Sequence, residues 1–199
     1  ANIANGVVPS CLVVTPSAPS IAIAFGPPSV GIGVASTLTY TITNPNNIAL
    51  TAATFTNTLL NLSVQAAGPA GGTCLGANGN VLAAGQTALT FSSLTIPASG
   101  SCTVTVPVTS GAVGVWPTTA SGVTTAQTAA GPVSNTASLT VTAATPTVAK
   151  AFAPATIVSG SVSRLTVTLG NPNAAAISIT SLTDTFPVAP GTGLTRSGG

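Results

Sequence analysis

Few side chains in this sequence could do chemistry. Its 199 residues include no histidine, no glutamate and one aspartate, Asp184. A Ser-His-Asp relay, a Cys-His pair, two facing carboxylates and a His-bearing zinc site each require a residue type that is missing or too scarce. Calcium takes several hard oxygen ligands, usually from more than one carboxylate. Gly31-Ile32-Gly33 and residues 68–80, expected to be a glycine-rich loop that Cys74 ties down, lack the lysine and the strand-to-helix setting of a phosphate cradle. The chain is therefore expected not to be an enzyme and to hold neither cofactor nor metal.

What remains is covalent and structural. Cys74 and Cys102 would close a loop of 29 residues, and a disulfide there would stabilise the fold by about 3.5 kcal/mol in the chain-entropy model. Two buried free thiols are the alternative; a disulfide implies an oxidising compartment. Cys11 is left over, as a buried thiol or as a contact between subunits. Asn61-Leu62-Ser63 is an acceptor sequon for N-linked sugar, a three-residue match that also arises by chance. Trp116, the sole tryptophan, suits packing over a loop or sheet edge, or a platform for stacking a sugar ring.

Composition narrows the setting. Charged residues make up 2% of the chain, namely Lys150, Arg164, Arg196 and Asp184, too few for a nucleic-acid stripe or a polybasic lipid patch. Solubility must come from 54 serines and threonines together with asparagine and glutamine. No window of 18 apolar residues is free of Thr, Ser, Asn or Pro, so no membrane-spanning helix is expected. A chain beginning Ala1-Asn2-Ile3 is compatible with a mature secreted product or with a cut fragment. The expected location is extracellular or cell-surface.

The elements that position these residues are strands. In residues 36–43, Leu38, Tyr40 and Ile42 alternate with threonines, the period-two pattern of a half-buried strand. Similar stretches lie at residues 21–25, 50–57, 88–96, 102–109 and 135–142. Leu89 and Phe91 are out of phase with Leu94 and Ile96, which places a bulge at Ser92-Ser93. Residues 24–60 return at residues 151–187 with a constant offset of 127, identical at 14 of 37 positions. A period that long is a domain rather than a solenoid unit. The alignment divides the chain into an orphan closing strand (1–15), one complete repeat (16–142) and a partial second repeat (143–199). Lys150 and Asp184 replace Ile23 and Asn57 of the first copy, which suggests an ion pair between the first strand and a later one.

Phe25, Pro27, Gly33, Ser36, Leu38, Thr39, Asn44, Pro45, Asn46, Thr56 and Thr58, with Pro97 and Cys102 further on, form a pattern repeated in part from Phe152 to Thr185. It resembles the uncharacterised immunoglobulin-like repeats of long bacterial surface and secreted proteins. The resemblance implies an all-β, immunoglobulin-like β-sandwich, and a role as stalk, adhesin shaft or surface-layer component; long tandem arrays would be expected of such repeats. The short strands and turn clusters argue for the same fold class.

The expected role is a structural subunit of an extracellular filament, self-assembled head to tail by strand donation. The donor would be the apolar segment carrying Val7, Val8, Cys11, Leu12 and Val14, which aligns with a repeat's last strand; the acceptor would be the partial repeat. The alternatives are a passive spacer of a longer adhesin, or a glycan-binding module using Trp116.

Overall fold

The structure, a computed structural model, describes residues 15–186. Strands form where apolar side chains alternate with threonine, serine or alanine, and proline or asparagine ends them. In chain order they are β1 (Ser20–Gly26), β2 (Ser29–Gly31), β3 (Ser36–Asn44), β4 (Leu50–Thr58), β5 (Ser63–Val64), β6 (Gly68–Pro69), β7 (Gly71–Gly72), β8 (Val81–Leu82), β9 (Ala88–Ile96), β10 (Gly100–Thr109), β11 (Gly114–Thr118), β12 (Ala137–Thr142), β13 (Thr147–Ala153) and β14 (Arg164–Gly170). A single 3-10 turn, Ala77–Gly79, interrupts them among the described residues.

Two layers enclose the core. The first runs β1-β3-β10-β5, with β7 also on β10. In the second, β12 lies between β11 and β2. The chain continuing from β11 then bridges to β4, at Asn57 with Ala120 and at Thr54 with Thr124, and β4 pairs with β9. Sequence order and pairing give the A, B and E strands of an immunoglobulin sandwich as β1, β3 and β10. The C′, C, F and G strands are β9, β4, β11 and β12. The prolines at 27 and 28 end pairing with β3, since neither offers an N–H. The chain thereby crosses to the other layer, where β2 runs parallel to β12.

Every second residue of β1, β3 and β10 points inward, and Leu38, Tyr40, Ile42, Val104, Val106 and Val108 are wholly buried. Tyr40, Phe55 and Phe91 form the centre, with ring centroids 4.8–5.3 Å apart. The Tyr40 hydroxyl accepts from Asn57 Nδ2 at 3.0 Å, and Asn57 Oδ1 accepts from Thr118 Oγ1 at 2.7 Å, so the buried polar groups satisfy one another. Two bulges on the β4–β9 pair keep its core residues inward. One is at Ser92-Ser93, two residues of β9 that oppose the single Thr54 of β4; the other, at Thr51-Ala52, is on β4 itself.

The glycine-rich stretch at 68–80 is more ordered than a loop. Gly71 and Gly72 pair with Thr105 and Val104, and a Cβ on Gly72 would lie 2.2 Å from the Thr103 carbonyl oxygen. Glycine is what lets this backbone approach the sheet edge. Cys74 follows at once and is disulfide-bonded to Cys102 of β10, with both sulfurs in the buried layer.

In the second repeat, β13 pairs with β14 in the register of β1 with β3, each partner displaced by 127 residues. The segment equivalent to β4 forms no strand within residues 174–186. β4 itself is held by β9 on one side and by residues 120–126 on the other; the described part of the second repeat has neither support.

Candidate assembly interface

The turn after β3, and likewise that after β14, grips the chain entering its repeat. Asn44 is 1% exposed; its Nδ2 donates to Ile48 O at 2.8 Å and Pro97 O at 3.0 Å, and its Oδ1 accepts from Asn46 N at 2.9 Å. Asn46 in turn accepts from Ser17 N at 2.8 Å and donates to Ser17 O at 2.8 Å, as a strand neighbour would. The second repeat copies the device. Asn171 Nδ2 donates to Ala175 O at 2.9 Å, Asn173 accepts from Ala144 N at 2.7 Å, and Asn173 Nδ2 donates to Ala144 O at 3.0 Å. Ser36 Oγ to Pro27 O and Ser163 Oγ to Pro154 O, both 2.6 Å, are a further matched pair.

Only residues 143–146 separate β12 from β13, and Asn173 holds them from the far side. The repeats also touch. Gly33, at φ +76°, lies under Ala174 and Ala175 so closely that a Cβ there would stand 3.2 Å from the Ala174 carbonyl carbon. Ala175 packs against the first repeat's core. Linker and contact together fix the second repeat against the end of the first.

Beyond that joint the second repeat is open. Val148 and Phe152 of β13 and Val167 and Leu169 of β14 are 36–54% exposed. Their counterparts Ile21, Phe25, Tyr40 and Ile42 are at most 9% exposed. The edge of β14 that corresponds to the β10 side of β3 has no strand beside it among the described residues. A depression lined by Leu169, Gly170, Asn171, Ala176, Ile177 and Ile179 has a volume of about 190 Å³, below the several hundred usual for a small-molecule site.

Lys150 Nζ donates to Asp184 Oδ1 at 2.6 Å, across the open repeat, with the two side chains 47% and 28% exposed. Lys150 pairs with Val167 as Ile23 pairs with Tyr40. Asp184 thus holds the position of Asn57, but its partner is on β13, one strand over from Val167, the counterpart of Tyr40. Asn61 sits exposed in the turn after β4, at φ +56°. Trp116 is half-buried; its Nε1 donates to Ala112 O at 3.2 Å, and its ring covers Gly114, where a Cβ would lie 2.5 Å from it. One ring face is therefore taken up closing the β10–β11 turn. Val7, Val8, Cys11, Leu12 and Val14 lie outside the described residues. The two asparagine clamps were not foreseen as such, since Asn-Pro-Asn reads as a strand stop; the signal was the recurrence of both asparagines at the same offset. Asn135 had no such signal. Its side chain accepts from Ile23 N at 2.9 Å and donates to Ile23 O at 3.0 Å, sealing the outer edge of β1.

A family model described as a domain of unknown function (DUF7933) matches residues 19–141 and again residues 146–195. Those segments take in most of the chain, which belongs to that family. No curated protein matches it. Among solved structures it is similar to the CARDB domain of a Pyrococcus furiosus protein, determined in complex with di-metal ions. The identity is 14% and the TM-score 0.39, over 65% of this chain and 94% of that domain.

Proposed function

We propose that this DUF7933-family chain is a structural subunit of an extracellular bacterial filament or surface assembly, joined head to tail by donation of its N-terminal segment. The observation that carries the reading is the open second repeat. It repeats the register and hydrogen bonds of a buried sandwich while leaving the matching apolar residues in solvent. An apolar sheet face that lacks its opposite layer recruits one, and by the pattern of the first repeat the donor lies in that opposite layer, beside residues 156–158, rather than on the free edge of β14. The Cys74–Cys102 disulfide supports an oxidising location, and no helix among the described residues is long and apolar enough to cross a membrane.

The first repeat supplies the register. Thr140 and Val141 of β12 pair in parallel with Ser29 and Val30; shifted by 127 residues on each side, Val13 and Val14 of a donor meet Thr156 and Ile157 of the acceptor. Pro9 aligns with Thr136, which precedes the first residue of β12, so its missing N–H costs the ladder no bond. Such a contact is heterologous, so its repetition gives an open fibre rather than a closed dimer. The role is mechanical, and self-association is the partnership it needs.

Deleting residues 1–14 tests the reading. The 199-residue chain is expected to form filaments visible by electron microscopy, and the truncated chain to remain monomeric in sedimentation. Polymerisation of the truncated chain at an unchanged concentration would sink donation, and a 199-residue chain that stays monomeric at every concentration would leave the spacer role.

A further inference from the structure

The joint inside the chain has two halves, and each half has an equivalent that meets no partner among the described residues. The receiving half is the Gly33 turn, covered by Ala174 and Ala175; its equivalent is Gly160, at φ +84°, with no atom of the described residues within 4 Å of where a Cβ would stand. The inserting half is Ala174-Ala175 in the second repeat; its equivalent is Asn47-Ile48, where Ile48 is 45% exposed. Gly33 and Gly160 share the left-handed conformation that glycine tolerates, so both turns present the same flat backbone. Ile157, Val158 and Val162 flank Gly160 and are exposed. The clamp beside the inserting half is already closed in both repeats, Asn46 on Ser17 and Asn173 on Ala144. The entering chain therefore holds the same posture in the first repeat as it does at the internal joint.

We propose that Asn47-Ile48 of one copy docks on the Gly160 turn of a second copy, rebuilding between chains the joint that Gly33 and Ala174-Ala175 make within one. The inference rests on the head-to-tail assembly proposed above and adds a contact that strand donation does not require. The occupant is a second copy because the complementary surface is carried by this chain and the geometry of the match is already present in it. Ile48 brings more apolar surface than alanine does at the internal joint. With Asn46 holding Ser17, a strand arriving from residues 1–15 would leave the acceptor along the path that β12 takes to β13.

Cross-linking tests it in the 199-residue chain, with Cys11→Ser to remove the odd thiol. Ile48→Cys and Ser161→Cys are made in separate proteins, mixed under assembly conditions, oxidised, and read by intact mass. The mixed dimer is expected to exceed either self-dimer by about tenfold, the yield ratio of a joint favoured by roughly 1.4 kcal/mol. Val34→Cys with Ala175→Cys in one chain, the equivalent internal pair, is expected to close within the monomer and serves as the positive control. Filaments that form while the mixed dimer stays at the self-dimer level would overturn the joint and leave donation standing. Ile48→Asp is the second arm: it is expected to raise the concentration needed for assembly without shifting the monomer's melting temperature. An unchanged assembly concentration overturns the joint equally.

Discussion

β3 and β14 are nearly the same strand in two settings. β3 pairs with β1 and β14 with β13 in one register, each ends in Asn-Pro-Asn, and each repeat closes the same asparagine clamp on its entering chain. Yet Leu38, Tyr40 and Ile42 are wholly buried, whereas Val167 and Leu169 stand open to solvent. The hairpin, the proline break and the clamp are therefore local properties, written within about thirty residues of sequence. Burial is not local. It depends on β4, β9, β10 and β12 arriving from later parts of the chain, as far on as Thr142.

The comparison is broken most severely by removing one aromatic side chain from each region. Phe55→Ala deletes a ring from the fully packed centre, and large-to-small core changes of this kind cost about 3–5 kcal/mol. Phe152→Ala removes a ring that is 39% exposed and has no opposite layer to leave empty among the described residues. Its cost in the monomer should stay below about 1 kcal/mol. Denaturant unfolding measures both. Equal losses would mean that the second repeat is packed in solution as tightly as the first.

Much of this difference was legible in advance. Alternation in residues 36–43 located β3, and the break in phase between Phe91 and Leu94 located the bulge on β9. The bulge on β4 was silent, because Thr51, Ala52 and Ala53 carry no apolar pattern whose phase could shift. Gly71 and Gly72 read as loop, since an absent side chain looks the same whether it frees the backbone or lets it press against β10. The clamps were half legible: repetition marked Asn46 and Asn173, but their partners Ser17 and Ala144 are contacted through backbone atoms and leave no trace in residue type. The open face at β13–β14 could be foreseen only by aligning the chain with itself.

Alkali offers a gentler probe of the complete repeat. Tyr40 is the sole tyrosine; burial pushes its phenol well above the usual range, and the bond from Asn57 opposes this only in part. With the folded value raised, the folded state keeps its proton where the unfolded chain releases it. Stability is therefore fully present below about pH 10, the ordinary tyrosine value, and falls as pH rises beyond it. Tyr40→Phe should flatten that decline at some cost in overall stability, because Asn57 Nδ2 loses its acceptor. Unfolding midpoints from about pH 8 to about pH 11.5, a range that brackets the ordinary value, decide the point. An equal alkaline decline in both proteins would assign it to other groups.

The smallest effect expected comes from Lys150 and Asp184. Asp184 holds the position of Asn57, which is buried and hydrogen-bonded in the first repeat, but the ion pair lies in the open one, where water and salt reach both side chains. Exposed pairs of this kind contribute about 0.2–1 kcal/mol and weaken with ionic strength. Lys150→Ala, Asp184→Ala and the double variant form a cycle. Its coupling energy should fall within that range in the monomer at low salt and fade toward zero in molar salt. The same cycle in assembled material sharpens the contrast between the repeats. If a second copy covers the open face, water is excluded from the pair, and removing one partner leaves the other charge buried, a loss of about 3–5 kcal/mol. Cycles that agree in monomer and assembly would show that the open repeat stays open, and that its likeness to the first ends at the hairpin.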